Sequence, residues 1–271
     1  MPGTPPGRNL YTIRFIMPRR RSDDSQTLRA LLEMRELLVR GELRAGERIR
    51  EIPLAARLRV SRTPLRMVLG RLEQEGLVVA RPTGGYVVSE FTVRDIRDGI
   101  EIRGALEGLA AKLAAERGPG PDDLIDIRKC IAATDRVLQR WISGTDSLAR
   151  YIGINTRFHS QLVDLAKSPM LRRAVDRAMA LPFASPNAFL IGHALKKGRD
   201  IVELSQVHHR AILDAIANRE PGRAEAMARE HSRLARTSLE VILNRRLLSS
   251  VPGASLIRFP DPAELDTSRR A

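Results

Sequence analysis

Arg62, Thr63 and Arg66 put two guanidinium groups one helical turn apart beside a hydroxyl. Arginine so placed can grip guanine O6 and N7 bidentately, and the threonine can meet a phosphate or a thymine methyl. A second chemistry belongs to histidine. The chain has His159, His193, His208, His209 and His231; His159, His209 and His231 fall on the apolar sides of three separate helical patterns. Taken singly, each reads as a packed core residue. Together they could converge on one divalent transition ion, Zn, Ni, Co, Fe or Mn, all of which accept neutral imidazole. Asn155 shares the inward face of His159 at i, i+4. Arg103 and Glu107 lie inside an apolar stripe, where a charge is costly unless paired. They form an i, i+4 ion pair, or Arg103 faces a cavity and receives the carboxylate of a small effector with its planar fork. His208 points to solvent or a rim, and His193 lies in a loop-like stretch where it could serve a lid.

The elements that must carry these residues follow from periodicity. Residues 26–40 predict an amphipathic helix with Leu28, Leu31, Leu32, Met34, Leu37 and Leu38 as its apolar set, ended by Gly41. A short helix follows from Ile52 to Leu58. Ser61 is a good N-cap, Pro64 sits in a first turn, and Leu65, Val68, Leu69 and Leu72 make one buried stripe. That leaves Arg62, Thr63, Arg66 and Met67 on the opposite face. Strand-like Leu77–Ala80 and Tyr86–Ser89 flank Thr83-Gly84-Gly85, a wing whose tip lets backbone approach DNA. A winged helix-turn-helix over residues 25–90 results.

Thr92 and Asp95 read as a capping box opening a long helix to Arg117. Ile96, Ile100, Ala110 and Ala114 form one stripe, and Ile102, Leu106, Leu109 and Leu113 another, so this helix should be buried on two sides. A further helix runs from about Leu148 to Leu165. Residues 91–246 are therefore expected to be an all-helical bundle, making the fold mainly α. Leu181–Phe189 interrupts the pattern, as a pocket mouth or a plain loop. Residues 1–24 read as a disordered basic arm, or as an upstream start with Met17 the true beginning, and 247–271 as a flexible tail.

Composition sets outer bounds. Lys plus Arg number 46 against 32 Asp plus Glu, a formal net charge of +14 that suits nucleic acid or an anionic surface. At 271 residues and 43% hydrophobic content the chain is no disordered tail and can hold two domains. Its single cysteine, Cys130, excludes an intrachain disulfide and a Cys-rich zinc site, and points to the cytoplasm. No apolar run approaches the roughly 18 residues of a membrane span, so no membrane partner is expected.

Several runs carry a resemblance. Gly41-Glu42-Leu43-Arg44-Ala45-Gly46-Glu47-Arg48-Ile49, Leu54-Ala55-Ala56-Arg57-Leu58, Val60-Ser61-Arg62-Thr63-Pro64-Leu65-Arg66 and Arg71-Leu72-Glu73-Gln74-Glu75-Gly76-Leu77 resemble the head of GntR-type bacterial transcription regulators. The likeness implies that Arg62, Thr63 and Arg66 contact double-stranded operator DNA, with Arg50, Gly84 and Gly85 as secondary contacts. Two positions depart from it: Arg59 stands at a turn where the family usually has glycine, and Met67 replaces a common acid. Arg103-Gly104-Ala105-Leu106-Glu107-Gly108-Leu109-Ala110-Ala111, Phe158-His159, His209-Arg210-Ala211-Ile212-Leu213-Asp214-Ala215-Ile216 and Arg229-Glu230-His231 resemble the carboxy-terminal, FCD-type domain of the FadR branch. In its metal-binding members an Asp and three His hold a divalent ion that helps bind an organic acid. His159, His209 and His231 match, and Asn155 occupies the Asp position, removing one negative charge. The expectation is a homodimeric regulator, in the usual sense a repressor, whose operator binding responds to a small carboxylate. A metal-dependent enzyme built on the three histidines and an effector-free DNA-architectural dimer are the competing readings; no His-Glu-x-x-His helix or Gly-rich phosphate loop supports the enzyme.

Overall fold

A computed structural model describes residues 20–141, 145–181, 183–190, 198–244 and 253–258. His193 and the expected arm before residue 20 lie outside the described residues, as do 247–252 and 259–271 of the expected tail. The first helix, α1 (Arg20–Val39), is followed by the short strand β1 (Arg48–Ile49), α2 (Glu51–Leu58) and α3 (Arg62–Gln74). Strands β2 (Val78–Ala80) and β3 (Tyr86–Val88) complete the head. The sheet is antiparallel with order β1-β3-β2, pairing Arg48 with Val87 and Val79 with Val87 from the other side. The third strand, β1, was not expected: two residues are too short to show alternation.

Arg59 takes the left-handed conformation at the end of α2 (φ 53°, ψ 46°), as its turn requires. For a non-glycine residue that costs about 1 kcal/mol. Ser61 caps α3 in extended conformation, without the side-chain hydrogen bond expected of it. The expected apolar set of α1 needs correction, since Leu28 and Leu32 are more than half exposed. Leu31, Met34, Leu37 and Leu38 suffice to pack the helix into the head core. α1 also begins at Arg20, earlier than the expected arm would allow.

Beyond the head, β4 (Phe91–Thr92) leads into α4 (Val93–Arg117), opened by the expected capping box: Asp95 N donates to Thr92 Oγ1 at 3.2 Å and Thr92 N to Asp95 Oδ2 at 2.7 Å. A 3-10 turn (Asp122–Leu124) precedes α5 (Ile125–Gln139), α6 (Thr145–Leu165), α7 (Pro169–Met179), α8 (Gly198–Ala217) and α9 (Pro221–Asn244). α4 is the bundle's axis, with α9 against it at close range. A Cβ on Gly104 would lie 2.0 Å from Ser232 Oγ, and one on Gly108 2.7 Å from Arg229 Cγ. That contact aligns Arg103 and Glu107 with the middle of α9. The second stripe of α4 is a correction: Ile102 and Leu109 are exposed, while Leu106 and Leu113 are half-buried against α7. No described element covers the Ile102 and Leu109 side.

Residues 253–258 also depart from the expected tail. Ala254–Leu256 form a 3-10 turn and Ile257–Arg258 form β5, parallel to β4. Gly253 N donates to Val39 O at 3.0 Å, Ala45 N to Ser255 O at 3.1 Å, and Ser255 Oγ to Leu38 O at 3.2 Å. Gly41 makes room, for at its φ of +75° a Cβ would sit 2.9 Å from Ser255 Cβ. Leu256 and Ile257 join the head core, burial that holds the segment down. Leu239 and Ile242 of α9, and Ile96 and Ile100 of α4, lie in that same cluster. One continuous apolar core thus runs from the head into two helices of the bundle.

Candidate functional site

In the head, Leu65, Val68, Leu69 and Leu72 are at most 1% exposed, which forces Arg62, Thr63, Arg66 and Met67 outward on α3. An open groove beside the N-terminus of α3 is lined by Arg48, Arg50, Arg62, Thr83, Gly84 and Gly85 among others, with Glu47 and Glu51 also at its wall. The structure thereby brings together Arg50, Arg62 and the wing glycines. Thr63 and Arg66 are exposed on α3 but do not line that groove. Gly84 and Gly85 have φ of 86° and 78°, and Gly84 N donates to Arg81 O, closing the tip. Thr83 joins with the wing tip as expected, and Arg48 is an addition that the sequence did not reveal. β1 carries Arg48 into the groove, and that strand left no periodic signal.

The second site lies in the bundle. α6 supplies Asn155 and His159, α8 His209, α9 His231, and α4 Arg103 and Glu107; all six are buried. The three imidazoles meet: His209 Nε2 is 3.2 Å from His231 Nε2, which is 3.3 Å from His159 Nε2. On its other side His159 Nδ1 donates to Glu107 Oε1 at 2.7 Å. A carboxylate there keeps the proton on Nδ1 and leaves the Nε2 lone pair free, the orientation that metal-binding histidines use. Arg103 Nη1 donates to the other carboxylate oxygen, Glu107 Oε2, at 2.8 Å. Phe158 stacks on His209 with ring centroids 3.8 Å apart and holds that ring in place.

Electrostatics favour the same use. Burial, then the neighbouring imidazoles, push the pKa of His209 and His231 well below the ordinary histidine value. Both are neutral at neutral pH, as a metal ligand must be. Burial works against the Glu107 carboxylate, but its contacts with His159 and Arg103 outweigh it and hold the carboxyl below the usual range. The donor set suits a divalent transition ion: nitrogens bound tetrahedrally at about 2.0–2.1 Å lie about 3.3 Å from one another, which two of the three pairs match, and all three ligand atoms lie within 4.8 Å of one another.

A small cavity of about 20 Å³ adjoins this cluster, lined by Arg103, Tyr151, Asn155, Phe189, Ser205, His231 and Ser238 among others. It has room for about one water. Arg103 therefore does both things open to it, pairing with Glu107 and facing a cavity. Its Nε is buried with no partner among the described residues, and so is His231 Nδ1. Asn155 is brought to the cavity, where its Oδ1 accepts from Tyr151 at 3.1 Å and its Nδ2 donates to Asn187 Oδ1 at 2.8 Å. Burial pushes the Tyr151 hydroxyl up, so it remains a donor.

Tyr151 and Asn187 were missed. Tyr151 precedes Asn155 by one turn on the same face of α6, a readable spacing; Asn187 comes from the interrupted 181–189 stretch, which also brings Phe189 to the cavity. Glu107 was legible as a partner of Arg103 but not of His159, which lies 52 positions away. Of the two positions expected for His208, solvent or rim, it takes the rim, half-buried with its ring edge-on to His231 at 5.9 Å. The cause is its place on α8 beside His209, where α9 packs over it.

Comparison with known proteins adds a third line. Residues 98–234 match the FCD domain family, and residues 26–88 match the family described as bacterial regulatory proteins, gntR family. The chain is 35% identical over 132 residues to the Nta operon transcriptional regulator of Aminobacter aminovorans, a match covering 49% of this chain and 60% of that protein. It thus spans only about three fifths of that relative's length. It is 29% identical over 199 residues to the probable D-xylose utilization operon transcriptional repressor of Paenarthrobacter nicotinovorans, covering 72% and 80% of the two chains. Among solved structures, McbR/YncC of E. coli superposes with a TM-score of 0.56 at 20% identity, covering 82% of this chain and 98% of that one.

Proposed function

The chain belongs to the GntR family of bacterial regulatory proteins and carries its FCD domain, and from that premise we propose that it is a DNA-binding transcription regulator controlled by a small carboxylate. Arg62, Thr63 and Arg66 read operator DNA in the major groove, while Arg50, Gly84 and Gly85 contact the backbone or minor groove beside it. Two copies pair so that two heads meet a two-fold-related operator. The sense is repression, as in the D-xylose relative's name. The two relatives described above bear regulator or repressor names, which favours a regulator over a metal-dependent enzyme or a purely architectural dimer.

The observation that carries effector control is the meeting of three histidine Nε2 atoms beside a cavity lined by Arg103. His159, His209 and His231 hold a divalent transition ion, with Asn155 adding an amide oxygen where a carboxylate charge would otherwise stand. When bound, such an ion supplies a Lewis-acid centre for a carboxylate oxygen. Glu107 fixes the His159 tautomer, and Arg103 orients the acid's second oxygen through its fork. The cavity is small, so the effector enters by displacing part of its lining. α4 and α9 each run from this pocket to the head core, through Ile96 and Ile100 on one and Leu239 and Ile242 on the other. A shift of either helix on binding therefore reaches the packing under α3.

Protein purified without chelator should contain about one transition metal ion per chain. Small carboxylates added with that metal should raise its thermal midpoint, an effect lost in Arg103→Ala and in His159→Ala. Metal at background level, with and without the acids, would remove the ion from the account. Stabilisation surviving both substitutions would move the effector elsewhere.

A further inference from the structure

Met67 lies in the second turn of α3 and is 58% exposed, on a helix whose other large apolar residues are fully buried. A lone exposed apolar side chain is ordinary on a protein surface; what distinguishes Met67 is its surroundings. It follows Arg66 directly and stands one turn beyond Thr63. Arg62, Thr63 and Arg66 are all exposed with it. One turn further on, the same face carries Gly70, where an added Cβ would meet nothing within 4 Å. No acid occurs in the first turn of α3, and the first along the helix is Glu73. The part of α3 presented outward thus combines two cations, a hydroxyl and one polarizable thioether, with open space at the next turn for a close approach.

The chemistry narrows what that thioether can recognise. Methionine has no hydrogen-bond donor and only a weak sulfur acceptor, so it cannot pair with the donors and acceptors of guanine, cytosine or adenine edges. The one apolar feature in the major groove is the C5-methyl of thymine. Resting on the reading of α3 as the recognition helix, we propose that Met67 is a specificity-determining residue that selects thymine by burying its C5-methyl, beside the bases gripped by Arg62 and Arg66. A flexible, unbranched side chain suits that role because it can lie along the methyl without a fixed geometry.

The test uses the full chain and the duplex that it enriches from a randomised pool. Each thymine of that duplex is replaced in turn by uracil, which keeps the pairing and removes only the methyl, and affinity is measured for the wild type and for Met67→Gln. At one thymine for each bound head, uracil should weaken the wild type about fourfold, the worth of one buried methyl. Met67→Gln should bind the thymine and uracil duplexes equally there, with an unchanged thermal midpoint. Placing 5-methylcytosine opposite guanine at that position should recover wild-type binding relative to cytosine. A uracil scan with no effect, or one whose effect persists in Met67→Gln, overturns the assignment while leaving DNA recognition by α3 intact. Enrichment of no sequence at all overturns the reading of α3 itself.

Discussion

A carboxylate buried between a guanidinium and an imidazole decides which nitrogen of His159 is free. Glu107 accepts from both Arg103 and His159 Nδ1, so Nε2 faces the two other rings. His209 and His231 are held neutral in the folded chain by burial and then by neighbouring imidazoles. In the unfolded chain they titrate near the ordinary value of about 6.5. Below that pH the unfolded state binds more protons, so chelator-treated protein should lose stability as pH falls from 7.5 to 5.5. Urea unfolding at the two pH values should show the loss, reduced in His209→Gln; equal stability at both would contradict the neutral cluster. These histidines were legible because each falls on the apolar side of its own helix. Their mutual distances were not, because helical period fixes a face but says nothing about how far α6, α8 and α9 slide past one another. The partnership of Glu107 with His159 was hidden for the same reason, whereas its pairing with Arg103, one turn away, could be read directly.

At the scale of elements, local grammar foretold most of what formed. The capping box of α4 and the stripe of α3 both arise from residues within a few positions of one another. The failures are long-range. β5 pairs with β4 across most of the chain, and each is two residues long, too short for alternation to register. Its flanking prolines and glycine made the segment resemble a tail. Burial of Leu256 at 0% exposure makes it part of the head core, so Leu256→Ala should cost about 2 to 5 kcal/mol of stability. Chemical denaturation would measure it, and a change under 0.5 kcal/mol would mean that the segment does not stay docked. The exposed Ile102 and Leu109 of α4 are a different kind of misreading. A second apolar stripe does not say whether its cover comes from the same chain.

Over the whole molecule, the arrangement is two long helices joining a buried polar pocket to the core beneath the exposed face of α3. α4 holds Ile100 in the head core and Arg103 at the pocket within one turn; α9 holds His231 at the pocket and Leu239 and Ile242 in the head core. No helix among the described residues is long and apolar enough to cross a membrane. The net charge of +14 matters less than where two of its arginines stand, at the outward N-terminal turns of α3. Coupling between such sites is usually worth about 1 to 3 kcal/mol, enough to change operator affinity roughly 5- to 150-fold. The direct measurement is the affinity of the full chain for its enriched operator duplex, by fluorescence anisotropy, with Zn²⁺ and a panel of mono-, di- and tricarboxylates. At least one acid should shift the wild-type affinity within that range and leave Arg103→Ala unmoved. An operator affinity that stays constant while those acids bind the protein would contradict the account.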